Sequence, residues 1–364
     1  MEKKTIPRSS KPSRIPNEHP VWGTHLMPTF QNPHRGDSSN SFWVFVTALL
    51  LITVIACNQP FDPRAPYQDR LVVYSVLSND RDQQYLRLST TYQSSNFNPL
   101  EVTNDPTLNG ATISLAQVPG PTILFRDTVL ARVDTSRYTD SLRVYVASLR
   151  PDYSTVYLLT VSAPGGLRAT GALHLPAKAY LSYTGTSVLR TPADFEKGLI
   201  SVYTTLSDLA GGYVVRMLLQ YTISDGLTTF EELREVPIEY RTEVAPDGTV
   251  SLNLNKPVFP TLRRVQSIAI TTQFGSFQYV NTLQDVQKQY LGKSITFERA
   301  IFLVMQADPN FFKYYSVTNG FQDSVSIRLD QPLYSNISGG TGLFGGYMVD
   351  TLSFQYDALF PYNR

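Results

Sequence analysis

Cysteine is all but missing from this 364-residue chain; there is one, Cys57. A disulfide framework needs pairs, so stability has to come from packed apolar cores. Histidine is nearly as scarce. Of the four, His19, His25 and His34 precede Cys57, and His174 stands alone after it. A zinc centre draws on several His or Cys ligands, and a Ser-His-acid triad needs an imidazole between nucleophile and acid. One histidine ahead of Leu175-Pro176 supplies neither. Both tryptophans, Trp22 and Trp43, also precede Cys57. An excess of one charge is lacking too. The 31 Lys+Arg and 30 Asp+Glu give a formal net charge of +1, which offers no field to gather nucleic acid.

Six of the basic residues and three of the acidic ones precede Cys57, so a basic leader is followed by a body with 25 basic and 27 acidic residues. Within that leader, residues 42–56 (FWVFVTALLLITVIA) form an uncharged run of 15 residues. A helix of that length falls short of the roughly 20 residues that cross a bilayer core and suits the apolar region of a signal peptide. The run ends in Val54-Ile55-Ala56-Cys57. An aliphatic residue, a permissive position, a small residue and then Cys are what bacterial lipoprotein processing reads. The thiol forms the thioether to diacylglycerol, and the small residue fits the peptidase. Lipidation of Cys57 is therefore expected, with residues 1–56 removed, and two or more acyl chains give stable anchoring. Met27 offers a second start, with Arg35 still ahead of the apolar run.

Residues 57–69 carry three prolines and read as a lipidated tether. From residue 70 the chain becomes strand-like. Alternating β-branched and aromatic runs at 71–77, 85–92, 111–117, 122–127, 141–146 and 155–162 are separated by Asn-, Gly- and Pro-rich turns. That spacing predicts an amino-terminal immunoglobulin-like antiparallel β-sandwich over residues 70–176. Residues 177–364 predict a larger antiparallel β domain with strands at 200–205, 213–223, 236–244, 249–254, 264–272, 301–306, 324–329 and 348–356. Two short helices are expected in it, near 282–291 and 309–318, the second capped by Asp308. The fold class is mainly β. No fixed period supports a propeller or solenoid, and the 22 Tyr and 19 Phe are what sheets pack with.

Catalytic chemistry would fall to carboxylates, because pairs of them run glycoside hydrolysis without histidine. Glu231, Glu232 and Glu235 sit in a segment that reads as a charged turn or edge, where a solvated face is the simpler account. Asn79, Asp80 and Asp82 have oxygen ligands for calcium but lack a full loop pattern, so they read as a hairpin turn. Neither a metal nor a cofactor is expected. The glycine-rich segment 335–347 (SNISGGTGLFGGY) invites a phosphate-cradle reading, yet it has no Gly-Lys-Ser/Thr ending and runs into a strand rather than a helix. It reads instead as a loop of positive φ or close backbone approach, structural or contacting a partner. Its key residues are Asn336, Gly339, Gly340, Gly342 and Gly345, with Phe344 plugged into a core.

Residues 332–345 (PLYSNISGGTGLFG) resemble the carboxy-terminal signature of a Bacteroidota lipoprotein family catalogued as domain of unknown function 4249. Leu71-Val72-Val73, residues 109–115 (NGATISL) and the aromatic helix with Tyr314 and Tyr315 fall where that family has similar features. The resemblance implies an outer-membrane lipoprotein working beside TonB-dependent receptors. It supplies no activity and no functional residues. Asn58-Gln59-Pro60 lack the acidic cluster that marks surface display in such bacteria, which favours the periplasmic face. Three functions compete on these grounds: a non-catalytic binding or accessory module, an envelope hydrolase with paired carboxylates, and a structural envelope component. An enzyme should bring two acids together in a pocket, and a binding module should expose an apolar patch.

Overall fold

Among the described residues the first strand and the last lie side by side, and that pairing organises the body. The structure is a computed structural model that describes residues 68–92, 105–132, 141–184, 199–319 and 334–355. Cys57 with its Val54-Ile55-Ala56 approach, the tether to residue 67 and the strand expected at 324–329 lie outside the described residues. In chain order the strands are β1 (Leu71–Ser78), β2 (Gln83–Thr90), β3 (Thr112–Val118), β4 (Thr122–Leu124), β5 (Arg126–Leu130), β6 (Leu142–Ser148), β7 (Val156–Ser162), β8 (Arg168–His174), β9 (Tyr180–Thr184), β10 (Leu199–Thr205), β11 (Gly212–Ser224), β12 (Thr229–Glu235), β13 (Glu239–Val244), β14 (Val250–Val258), β15 (Arg263–Arg264), β16 (Ala269–Gly275), β17 (Ser294–Ala307), β18 (Ile337–Ser338) and β19 (Gly340–Gln355). Helix α1 (Ser276–Gln289) follows β16, and α2 (Pro309–Asn319) follows β17. The body is mainly β. Among the described residues no helix is long and apolar enough to cross a membrane.

A nine-stranded sheet in the order β12-β11-β17-β19-β1-β2-β6-β5, with β15 also on β11, runs through the whole body. Its β5-to-β19 half faces a five-stranded sheet, β18-β8-β7-β3-β4. The core between them holds Leu71, Val73, Leu86, Leu115, Tyr157, Leu159 and Phe344. The β19-to-β11 half faces a three-stranded sheet, β16-β10-β9, together with α1, around Val202, Met217, Tyr221, Phe274, Leu283 and Phe302. The chain passes from the first core to the second between Leu175 and Ala179. The sequence alternates as these layers require: β1 buries Leu71, Val73, Ser75 and Leu77 and turns the residues between them outward.

Several elements differ from the sequence reading for local physical reasons. The run at 122–127 is two strands, β4 and β5, in different sheets, and buried Phe125 between them marks the crossing of the core. Strands β8, β9 and β12 were unexpected, since Gly171, Ser/Thr and charged residues blur their alternation. Helix α1 begins at Ser276 rather than near 282. Its first turn, Phe277-Gln278-Tyr279-Val280, is strand-like in composition, but Ser276, Tyr279, Leu283 and Val286 are buried at helical spacing. Most pairings are antiparallel, but β1 and β19 run parallel, Leu71 opposite Gly340 through Ser78 opposite Tyr347. That pairing joins the amino-terminal sandwich to the end of the chain.

Candidate functional site

The glycine-rich segment lies inside the body. From Gly340 onward it is strand rather than loop, in the parallel ladder with β1. Gly339 makes the turn between β18 and β19 with φ +76°. At Gly342, φ is +121° and an added Cβ would overlap the Val73 carbonyl oxygen across the ladder. Close backbone approach thus requires glycine there. A Cβ on Gly345 would press on Phe311 of α2 at 3.0 Å and on Asp308 at 3.1 Å. Asn336 acts as a substitute strand: Phe344 N donates to its Oδ1 (2.9 Å), and its Nδ2 donates to Phe344 O (2.6 Å). Phe344 itself is fully buried in the first core. With both backbone groups of Phe344 taken and the glycines filled by neighbours, the segment offers a ligand little.

Asp308 sits where β17, α2 and β19 meet and is fully buried. It receives N–H bonds from Gly346 (2.8 Å), Asn310 (2.7 Å) and Phe311 (3.1 Å), so it caps α2 ahead of Pro309 at the first helical position. Burial pushes its carboxyl up to about 6 against the pull of these three donors. A second polar group holds the passage between cores. Tyr153 Oη donates to Asp350 Oδ1 (2.6 Å), Ala179 N to Asp350 Oδ2 (2.8 Å), and Asn79 Nδ2 to Tyr153 Oη (3.0 Å). Burial and the Asp350 carboxylate raise the Tyr153 phenol. Gln306 receives Ser207 N (2.6 Å) and donates to Ala177 O (2.9 Å). These are struts that satisfy buried backbone groups.

The carboxylates singled out in sequence are held apart. Glu231 accepts from Gln220, and Glu232 accepts from Tyr290 Oη (2.8 Å) and Tyr221 Oη (2.9 Å). Those two phenols hold Glu232 below its ordinary range, while burial and Glu232 push the Tyr221 phenol up to about 12. Glu235 is raised by burial and lies 3.5 Å from Arg216. Asp80 takes hydrogen bonds from Ser78 and Tyr347 and lies beside Arg81; together these bring its carboxyl below the ordinary value although burial alone would raise it. Asn79 bridges to Val349, so this turn braces β19. Among the described residues no three His, Cys, Asp or Glu side chains cluster for a metal. His174 is the exposed last residue of β8. Three clefts, of about 230, 440 and 270 Å³, are lined by Tyr, Thr, Ser, Arg and aliphatic side chains, and none of the three by a carboxylate or imidazole.

What the body does present is a ribbon. The edge of β11 is shared: β12 pairs with its Leu218–Ser224 half and β15 with Gly212 and Tyr213. Between these two partners the chain leaves the sheet as the hairpin β13–β14, whose strands, among the described residues, pair only with each other. Tyr240, packed edge-on against Phe277 of α1, anchors its base. Beyond the base, Val244 opposes Val250 and Thr242 opposes Leu252. Cross-strand partners share a face, as do residues two apart, so Val244, Val250 and Leu252 make one apolar face. Val244 is 69% and Val250 63% exposed. Glu243 and Ser251 occupy the other face, with Lys256 paired to Glu243. The sequence reading found both strands of this hairpin but not its bare face. The signal was there in Val250-Ser251-Leu252-Asn253-Leu254, an alternation with nothing to pack on.

A family model described as Domain of unknown function (DUF4249) matches residues 58–353. No curated protein matches the chain. Among solved structures, the chain is similar to a DUF4785 family protein from Legionella pneumophila at 10% identity, over 63% of this chain and 51% of that one. It thus spans about half the length of that protein, and at a TM-score of 0.20 the likeness informs neither fold nor function.

Proposed function

The chain belongs to the family of domain of unknown function DUF4249, and on that premise we propose that it is a non-catalytic binding or accessory module of the bacterial envelope. In this reading lipid on Cys57 holds it at the outer membrane, on the periplasmic face, and it engages a protein partner through the β13–β14 ribbon. A TonB-dependent receptor is the partner class that the family setting suggests.

The observation that carries the reading is the bare apolar face of a ribbon projecting from a split sheet edge. A two-stranded ribbon is marginal by itself, and leaving Val244, Val250 and Leu252 in water gains nothing for folding. Covering that face with a partner recovers the lost burial, and the unpaired edges of β13 and β14 can take an added strand. The separation of Glu231, Glu232 and Glu235 into pairs with Gln220, two tyrosines and Arg216 supports binding over hydrolysis.

The test is co-purification of the full-length protein from detergent-solubilised outer membranes, beside a Cys57→Ala form and a Val250→Ser/Leu252→Ser form. A receptor retained in stoichiometric amount by the wild type and lost from the ribbon variant is the expected result. Retention by the ribbon variant would sink the ribbon as the contact. Failure of the wild type to retain any protein would remove the accessory reading itself.

A further inference from the structure

The outer end of the second half carries a different apolar feature. There the β11–β12 turn (225–228) and the α1–β17 turn (290–293) lie side by side, because Ser224 pairs with both Thr229 and Ser294. Turns of this kind favour Gly, Asn, Asp and Ser, and both contain glycine, Gly226 and Gly292. Yet each carries a leucine at its tip: Leu227 is 95% exposed and Leu291 83%. One exposed leucine is ordinary; two on neighbouring tight turns, with aromatics behind them, make a patch. The turns are held firmly. Asp225 Oδ1 receives the N–H groups of Leu227 (2.9 Å) and Thr228 (2.8 Å), and Lys293 N donates to Tyr290 O (3.0 Å).

Aromatic rings and a cation stand beside the leucines. Lys293 Nζ lies over the rings of Phe230 and Tyr290, 5.5 Å and 6.0 Å from their centroids. Exposed aliphatic tips together with aromatic rings and an ammonium group are the side-chain set that a bilayer interface takes up, acyl chains meeting the first and headgroup phosphates the last. Protein hot spots more often insert into pockets, whereas two leucines 95% and 83% exposed at turn tips suit a soft, deformable surface. The Asp225 carboxylate is engaged by its own turn and faces the Lys293 charge, as Glu232 on Tyr290 does, so these charges are already partnered and the leucines' own contact is apolar.

We propose that Leu227 and Leu291 insert into the lipid interface, backed by Phe230, Tyr290 and Lys293, and so orient the body on the membrane. The proposal rests on the anchored reading only for bringing the chain to a membrane.

The experiment uses full-length protein made in a bacterial host and reconstituted into phosphatidylethanolamine vesicles containing phosphatidylcholine with brominated acyl chains. Single Leu227→Trp and Leu291→Trp forms are compared with Leu124→Trp, an exposed site on the five-stranded sheet, after subtracting the wild-type signal. Quenching of both tip tryptophans well above Leu124→Trp, unchanged in high salt, is expected. In flotation of a form that starts at Asn58, and so has neither the apolar leader nor Cys57, a further Leu227→Ser/Leu291→Ser change should weaken vesicle binding by at least about tenfold. If the protein floats but the tip is no more quenched than the control, the lipid contact is overturned, the anchor stands and a protein becomes the tip's occupant. Equal quenching at all three sites also overturns it. Absence of flotation in every form removes anchor and tip together, whereas tip quenching with flotation indifferent to removal of residues 1–57 supports the tip and removes the anchor.

Discussion

At the scale of single residues, the least replaceable positions are where backbone passes backbone. Gly342 combines φ +121° with the Val73 carbonyl where a Cβ would lie. Gly342→Ala adds left-handed strain to overpacking in a central ladder and should cost about 3 kcal/mol or more, read as a lower denaturant midpoint. Asp308 makes a different prediction. Its folded value of about 6 lies above the ordinary aspartate value of 3.8, so the native state binds the extra proton between them. By linkage, this group's contribution is full below about pH 3.8 and is lost as pH rises through about 6. An Asp308→Asn form should lack that segment of the pH–stability curve, so the wild type should lose ground against it between about pH 4 and 6.5. Parallel curves would refute the raised value. Asp308 was legible in sequence as a helix cap, but its burial and its bond to Gly346 were not, because 38 residues separate the two.

Among elements, helices and most strands could be read from pattern. Pro309 after Asp308 announced α2, and Val-, Leu- and Tyr-rich alternation announced β1, β3, β7, β10 and β11. Failures fell where one element's composition contradicts its neighbourhood. Residues 335–347 looked like a loop because glycine is poor strand material, yet β1 accepts them as a ladder partner since only glycine lets the backbones approach. The ribbon is the opposite case: a strand pattern without a core. Its Val250→Ser/Leu252→Ser form removes apolar side chains that folding leaves half or more exposed, so the stability read from the denaturant midpoint should fall by no more than about 1 kcal/mol. A substantially larger drop would mean the face is covered within the chain and would undercut its role as a contact.

At the scale of the whole molecule, β19 belongs to both cores. Phe344 and Met348 lie in the first, while from Tyr347 onward β19 pairs with β17, whose Phe302 and Val304 lie in the second. The struts from Asp350 and Gln306 reach Ala179 and Ala177 at the passage between them. Two cores that share a central strand cannot melt independently without breaking that strand's ladders. Calorimetry should therefore show a single transition for the body. Phe302→Ala, costing about 3–5 kcal/mol, should move that transition down without splitting it. A second peak appearing in the variant would show that the cores unfold separately.

What the sequence by itself determined is what local chemistry controls: a mainly β body, most of its turns, and the Asp308 cap. Alternation and turn propensity act over a few residues, so they are written locally. Tertiary structure alone decided that the last strand runs parallel to the first, which residues of the glycine-rich segment are packed away, and which apolar side chains are left uncovered. Those outcomes depend on pairings across hundreds of residues and on what remains once both cores are filled. Val250 and Leu252 read like the alternating apolar residues of β7, and what turns a core pattern into a surface is that no sheet among the described residues packs over them.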